Sequence, residues 1–289
     1  MVERLGVASR GKGQPLERII AQAVSMTSLA CWRGVDSRSP SSLYIATDSR
    51  FAWPDGNCTD GNQKAFISSS SPDIFGFCGE VRVPTILLPP LETCGLAASE
   101  SAHARHAELL DRLVAVIASV ATSRSRPFTV VHGSRDADGM ASQFYVWCVH
   151  WSRTTGLVDV AEALPSDSAL AFVVGSGERS VTRQDLKWKR SEIGRTSRAA
   201  HSCFCDSLRS CADPMSGGGP QVVRIFREGG AETIGLVFNG ERYYRGTVVA
   251  PSHDAVRATE WRNELFERWD AQTMTRIDGA QRHARPRRL

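Results

Sequence analysis

What the chain lacks narrows it first. No apolar run among its 289 residues is long enough for a membrane-spanning helix; the longest, Leu113–Ala121, falls well short of the roughly 20 residues needed, so no membrane partner is expected. The opening residues lack the continuous apolar core of a secretory signal. Neither sign of charge dominates, with 35 Lys and Arg against 31 Asp and Glu, and part of the +4 excess sits in Arg282–Leu289. Nucleic-acid binding, which needs a basic stripe or patch, is therefore not expected. Internal repeats are absent too. The eight cysteines are scattered, and several (Cys31, Cys78, Cys148) fall inside apolar strand-like runs. They read as buried thiols of a reducing cytoplasm. Cys203, Cys205 and Cys211 with His201 form a denser group, but their spacing fits no standard zinc pattern and the segment looks helical, so neither metal nor cofactor is expected.

What remains is an ordinary globular composition, 42% apolar and 23% charged, enough for one main domain with a substantial core. Strand-like runs open it at 27–35, 43–48, 64–68 and 74–79, and four in a row predict one sheet. Apolar residues at helical spacing predict a long amphipathic helix over 99–123, preceded by a shorter one near 83–91 that Pro84, Pro89 and Pro90 confine or break. Strands return at 128–132, 143–151, 157–161 and 169–174 as a second sheet. Two helices follow, over 179–190 and 196–212, then a Gly-rich loop at 213–220 and strands at 221–227, 233–239 and 242–249. Grouped strands and grouped helices indicate an α+β sandwich rather than an alternating βαβ fold. The segment 253–272 reads as an appended charged helix, part of a C-terminal extension over 251–289.

One stretch carries the chemistry. Leu43–Arg50 is an apolar, β-prone run that ends in a carboxylate, Asp48, and an acid at the end of a buried strand needs a partner. Lys64, further along, is the candidate. The run 27–35 folds back antiparallel against the first and brings Thr27 to the pair. Asp48 and Lys64 can also be read as a plain structural ion pair, and Gly175-Ser176-Gly177 and Ser216–Gly219 as ordinary turns and loops.

Taken together and in order, Thr27-Ser-Leu-Ala-Cys, Asp48-Ser49-Arg50, Lys64, Phe77-Cys78-Gly79, Gly175-Ser176-Gly177 and Asp213-Pro-Met-Ser216-Gly-Gly resemble the motifs of the proteasome β-subunit family and its bacterial relatives, the N-terminal nucleophile hydrolases. The resemblance covers roughly 27–249. It implies a four-layer αββα sandwich of two antiparallel sheets flanked by helices. It also implies a threonine-type peptidase in which Thr27 is the nucleophile and its own α-amine, of ordinary pKa about 7.7–8.0, the base. Lys64 would stay protonated beside Asp48 and favour the alkoxide-like oxygen, the Gly79 N–H would receive charge from the substrate carbonyl, and Ser176, Asp213 and Ser216 would orient the amine. Lys64 is expected to be only partly buried. Phe51, Asn62, Phe66 and Phe77 would line the pocket for the substrate side chain ahead of the scissile bond. Residues 1–26 would be a leader or a mis-assigned start, and 27–250 the hydrolase domain. Expected partners are a peptide or protein substrate and further copies of the chain in a ring, with the unfoldase, if one serves it, unspecified. Two alternatives keep the fold: a catalytically silent structural or binding subunit, and a small-molecule amidase.

Overall fold

The computed structural model describes residues 27–53, 56–96, 101–282 and 284–286. The expected leader, 1–26, lies outside them. In chain order come β1 (Ser28–Val35), β2 (Pro40–Thr47), the short β3 (Phe51–Ala52) and β4 (Cys58–Thr59), then β5 (Ala65–Ile67) and β6 (Asp73–Gly79). Helices α1 (Arg82–Cys94) and α2 (Ala102–Val120) separate these from β7 (Phe128–Asp136), β8 (Gln143–Ser152), β9 (Gly156–Ala161) and β10 (Ala169–Gly175). Next are α3 (Glu178–Lys189), α4 (Ser197–Arg209), β11 (Gln221–Phe226), β12 (Ala231–Phe238), β13 (Glu241–Tyr244) and β14 (Thr247–Val248). The chain closes with the short α5 (Ala255–Ala258), β15 (Trp261–Asn263), β16 (Trp269–Asp270) and β17 (Thr275–Arg276). Among the described residues no helix is long and apolar enough to cross a membrane.

The strands do not divide as the sequence order suggests. β1 and β2 belong to an eight-stranded sheet, ordered β10-β1-β2-β11-β12-β13-β14 with β15 alongside β12, whereas β5 and β6 open a five-stranded antiparallel meander running β5 to β9. The single sheet expected from the first four strands is thus corrected: residues 48–64 carry the chain from one sheet to the other. Periodicity fixes side-chain direction within a strand, but which strands pair depends on long-range contacts that local pattern does not encode.

Alternation along each strand divides the core. Leu29, Cys31, Leu43 and Ile45 meet Ile74, Cys78, Val131 and Cys148 in one cluster drawn from both sheets. The intervening residues Ala30, Trp32, Tyr44 and Ala46 pack instead with Val181, Trp188, Cys203 and Phe204 of α3 and α4. Phe75, Phe77, Val130 and Val149 of the five-stranded sheet pack with Leu87, Leu88 and Leu91 of α1 and Leu109 and Leu113 of α2. The helices have local causes as well. Ser101 caps α2, its hydroxyl accepting from Ala104 N at 3.1 Å, and Thr196 caps α4 by accepting from Ala199 N at 3.3 Å. Helix α1 runs through Pro89 and Pro90 to Cys94, past the break expected there. Both prolines are exposed near its end, as is Ile86, so water reaches the carbonyls that lose their partners.

Two further expectations are corrected. The helix read over 253–272 is confined to Ala255–Ala258; beyond it Trp261–Asn263 lies parallel to Gly235–Val237 of β12. The cause is two apolar anchors. Trp261 is buried, and Phe266 sits in the α3–α4 core with its ring edge-on to Tyr44, centroids 5.8 Å apart. A charged helix free in solvent would leave both in water. The thiols are not uniformly buried either: Cys31, Cys78, Cys148, Cys203 and Cys205 are, while Cys58, Cys94 and Cys211 are exposed.

Candidate active site

Four strand ends meet at one edge of the eight-stranded sheet. Leu29 pairs with Thr47, Ser28 with Gly175 and Gln221 with Thr47, which gathers the start of β1, the end of β2, the end of β10 and the start of β11. Facing them, at the edge of the five-stranded sheet, are Lys64 ahead of β5 and Gly79 at the end of β6. The site lies between the two sheets, and its parts come from both.

Asp48 and Lys64 span that gap. The Lys64 Nζ donates to Asp48 Oδ1 at 3.0 Å and to Thr27 Oγ1 at 2.7 Å, and also to the Arg50 carbonyl. Neither charged side chain of the pair has exposed surface, so the partial burial expected of Lys64 is corrected to complete burial. Such burial is tolerable because each charge is met by several polar partners. Asp48 accepts from the backbone N–H of Ser28 (3.1 Å), Arg50 (3.1 Å) and Gly217 (3.0 Å) besides the lysine. Desolvation pushes the Lys64 ammonium down from its ordinary pKa, and the Asp48 carboxylate beside it opposes the drop. A lysine in this setting is a weaker acid–base spectator than one in water: it can hold a proton against Thr27 Oγ1 and give it up more readily.

The nitrogen side of Thr27 has its own network. Thr27 N donates to Ser176 Oγ at 3.2 Å, Ser176 Oγ donates to Asp213 Oδ2 at 2.6 Å, and Ser216 Oγ donates to the same oxygen at 2.6 Å. Ser28 Oγ closes the set by donating to Ser216 Oγ at 2.8 Å. Ser176 is exposed and Asp213 partly so, while Thr27 and Lys64 are buried. The hydroxyl side of Thr27 is therefore enclosed and the nitrogen side opens towards solvent.

Gly175 explains why this corner holds no larger residue. Its φ is +102°, and a Cβ there would lie 1.9 Å from the Thr27 carbonyl oxygen and 3.7 Å from the Cβ of Cys78. The space beside Gly175 is thus bounded by Thr27 and by Cys78, the residue before Gly79. Gly79, with φ +95°, ends β6, and a Cβ on it would strike the Pro127 carbonyl at 2.5 Å.

The expected pocket residues do not act as one group. Phe51 is half-buried, with the Lys64 Nζ 5.6 Å from its ring centroid and the Phe77 ring 6.2 Å away. Phe66 and Phe77 are buried in the cluster under α1 and α2, so neither presents a wall to solvent. Asn62 spends its amide on Ser49 O, Thr59 O and Thr59 Oγ1 at 3.3, 2.8 and 3.1 Å.

Sequence reasoning missed Gln221. This buried side chain donates from Nε2 to Asp48 O (3.0 Å) and Asn62 O (2.9 Å), and its Oε1 accepts from Lys64 N (3.0 Å) and Ala65 N (3.4 Å). Its one sequence signal is a polar residue opening a strand directly after the Gly-rich loop. Arg50 has a structural part as well: its guanidinium grips Asp60 at 2.8 and 3.0 Å and the Pro214 carbonyl at 3.1 Å, tying the β2 end to the loop that carries Asp213 and Ser216.

No protein-family model and no curated protein matches the chain. Among solved structures it is similar to the eukaryotic HslV from Trypanosoma brucei, with 10% identity over 68% of this chain and 99% of that one and a TM-score of 0.42. It is likewise similar to Anbu, an ancestral beta-subunit, from Yersinia bercovieri, with 14% identity over 69% of this chain and 81% of that one and a TM-score of 0.43.

Proposed function

We propose that the chain is a threonine-type N-terminal nucleophile hydrolase, cleaving peptide or related amide bonds through an acyl-enzyme on Thr27. Its fold is a four-layer αββα sandwich, a reading supported by the three apolar clusters: helices on a sheet, sheet on sheet, sheet on helices. The observation that carries the function is the Lys64 Nζ placed 2.7 Å from Thr27 Oγ1 and 3.0 Å from Asp48 Oδ1, with the Thr27 nitrogen held on the other side by Ser176. A structural ion pair needs Asp48 and Lys64 alone. It gives no reason to aim the ammonium at a threonine hydroxyl, or to build a serine–aspartate–serine chain on that threonine's nitrogen.

In the working form Thr27 is the first residue. Its free amine takes the hydroxyl proton as the oxygen attacks the scissile carbonyl, and the same proton then passes to the leaving amine. Lys64 lowers the cost of negative charge on Oγ1, Asp48 fixes and neutralises the lysine, and the Gly79 N–H receives the developing oxyanion. Ser176, Asp213 and Ser216 orient the amine. Water then attacks the ester between substrate and Thr27, with the amine again as base. No step calls for a metal or a cofactor. An amide nitrogen at Thr27, as in the chain with Met26 still attached, has no basic lone pair, and that form is the catalytically silent subunit.

Residues 1–26 are accordingly a removed segment or precede the true start, 27–250 form the hydrolase domain, and the cytoplasm is its compartment. The proposal extends to assembly from several copies. Expression of chains starting at Met1 and at Met26, followed by N-terminal mass determination and turnover of a fluorogenic peptide panel, tests the reading. Activity is expected wherever Thr27 is the mature N-terminus. Turnover by a chain that retains Met1, or hydrolysis of small amides with none of peptides, would replace it with another mechanism or with the amidase alternative.

A further inference from the structure

We propose that Gln221 is a positioning residue for the Thr27–Lys64 centre, a clamp that sets the distance between the two sheets where the nucleophile and its activating lysine face each other. The inference rests on the function proposed above. Asp48 ends β2 of the eight-stranded sheet and Lys64 precedes β5 of the five-stranded one, so their relative position is a sheet-to-sheet distance. The chain between them, which carries the β3–β4 pair, leaves one sheet and enters the other. Gln221, in register with Thr47 beside Asp48, reaches across.

A carboxamide suits this task because it offers two N–H donors and an oxygen with two lone pairs. Gln221 uses them all. Its donors hold the carbonyls of Asp48 and Asn62 at 3.0 and 2.9 Å, and its oxygen holds the N–H of Lys64 and Ala65 at 3.0 and 3.4 Å. The backbone of both members of the ion pair is thereby bonded to one side chain. Glutamate of the same length has no donor for the two carbonyls while ionised, and methionine fills the volume with no strong polar atom. The four partners are backbone groups of a buried site, so they have few other partners within reach. A lysine ammonium displaced by about 1 Å from Thr27 Oγ1 costs on the order of 10²-fold in rate, since catalysis depends steeply on placement.

The test uses the chain with Thr27 as its first residue, with wild type, Gln221→Met and Gln221→Glu compared by labelling of Thr27 with a peptide epoxyketone, by steady-state hydrolysis and by melting. Gln221→Met is expected to be folded at the assay temperature, with kcat and labelling rate reduced ~10–100-fold and KM little changed. Gln221→Glu adds a readout that a merely structural role would not move. Protonated, its carboxyl donates one hydrogen bond to a carbonyl and still accepts from Lys64 N, and facing two carbonyl oxygens favours that neutral form. Its rate relative to wild type is therefore expected to climb severalfold between about pH 8 and about pH 6. A folded Gln221→Met that labels at the wild-type rate overturns the proposal. So does a Gln221→Glu ratio that stays flat with pH, and this second variant decides the matter if Gln221→Met does not fold. Failure of wild type itself to label is a separate result, which removes the hydrolase reading and the clamp with it.

Discussion

Replacing Asp48 by asparagine isolates the energetics on which the site depends. The change keeps the shape but removes the counter-ion of a lysine with no exposed surface, and one asparagine oxygen cannot accept all four hydrogen bonds now shared by two carboxylate oxygens. Breaking a buried pair from one side costs about 3–5 kcal/mol. An independent bound agrees: the protein can instead neutralise Lys64, and doing so at pH 7 for a lysine of ordinary pKa costs about 5 kcal/mol. For a chain of this size the melting temperature should drop by roughly 6–20 °C. The sign with pH follows from linkage. In the variant the unfolded lysine binds more protons than the folded one between the lowered folded pKa and the ordinary one, so stability lost at neutral pH returns as pH rises, at about 1.4 kcal/mol per unit towards pH 10. Thermal and urea unfolding of Asp48→Asn, Lys64→Met and the double variant at pH 7 and pH 9 measures this. The double variant should lose less than the sum of the singles by more than ~1 kcal/mol. Additive losses, or an Asp48→Asn melting point within a degree or two of the parent, would refute the pairing energetics.

Other perturbations separate roles the fold places side by side. Lys64→Met should lower turnover by at least ~10²-fold while leaving a cooperative unfolding transition, read from peptide hydrolysis and circular dichroism. Phe51→Ala should change the preferred substrate side chain in a peptide library, whereas Phe66→Ala should cost about 3–5 kcal/mol in denaturation and leave the preference alone, because Phe51 is half-buried beside Lys64 while Phe66 is buried under α1 and α2. His201 is buried beside Phe266 with its Nε2 on the Asn263 carbonyl, and desolvation pushes it down to about 3 from an ordinary 6.5. Below pH 6.5 the unfolded chain binds the extra proton first, so wild type should lose stability relative to His201→Leu as pH falls from about 6.5 to about 3, on the order of 5 kcal/mol in all; a difference that does not vary with pH would contradict this. Phe266→Ala should destabilise the protein by about 3–5 kcal/mol in urea unfolding, since the C-terminal extension is anchored through that ring.

What could be read from the sequence was what local chemistry dictates. An acid at the end of an apolar strand announces a buried partner, and the unbroken apolar run Leu29-Ala30-Cys31-Trp32 fits a strand buried on both faces. Most helix and strand positions followed from such patterns. Pairing between strands distant in sequence did not, which is why β1 and β2 were grouped with β5 and β6 although a sheet-to-sheet crossing separates them. The pocket suffered in the same way: whether Phe66 and Phe77 line an opening or fill a core depends on α1 and α2 packing over them. Gln221 carries only a faint signal, because a single glutamine has no motif and its four partners are backbone atoms that any sequence would supply. In the extension, the charges between residues 253 and 272 suggest a solvated helix, whereas burial of Trp261 and Phe266 decides the structure.

The most direct measurement is mass spectrometry of a chain that begins at Thr27 after incubation with a peptide epoxyketone, which forms a stable adduct only when a hydroxyl and a free amine belong to the same residue. One equivalent of adduct on Thr27 is expected, lost in Lys64→Met and absent from a chain that keeps Met26. A folded chain starting at Thr27 that takes up no label, or takes it up at another residue, would contradict the assignment of Thr27 as nucleophile.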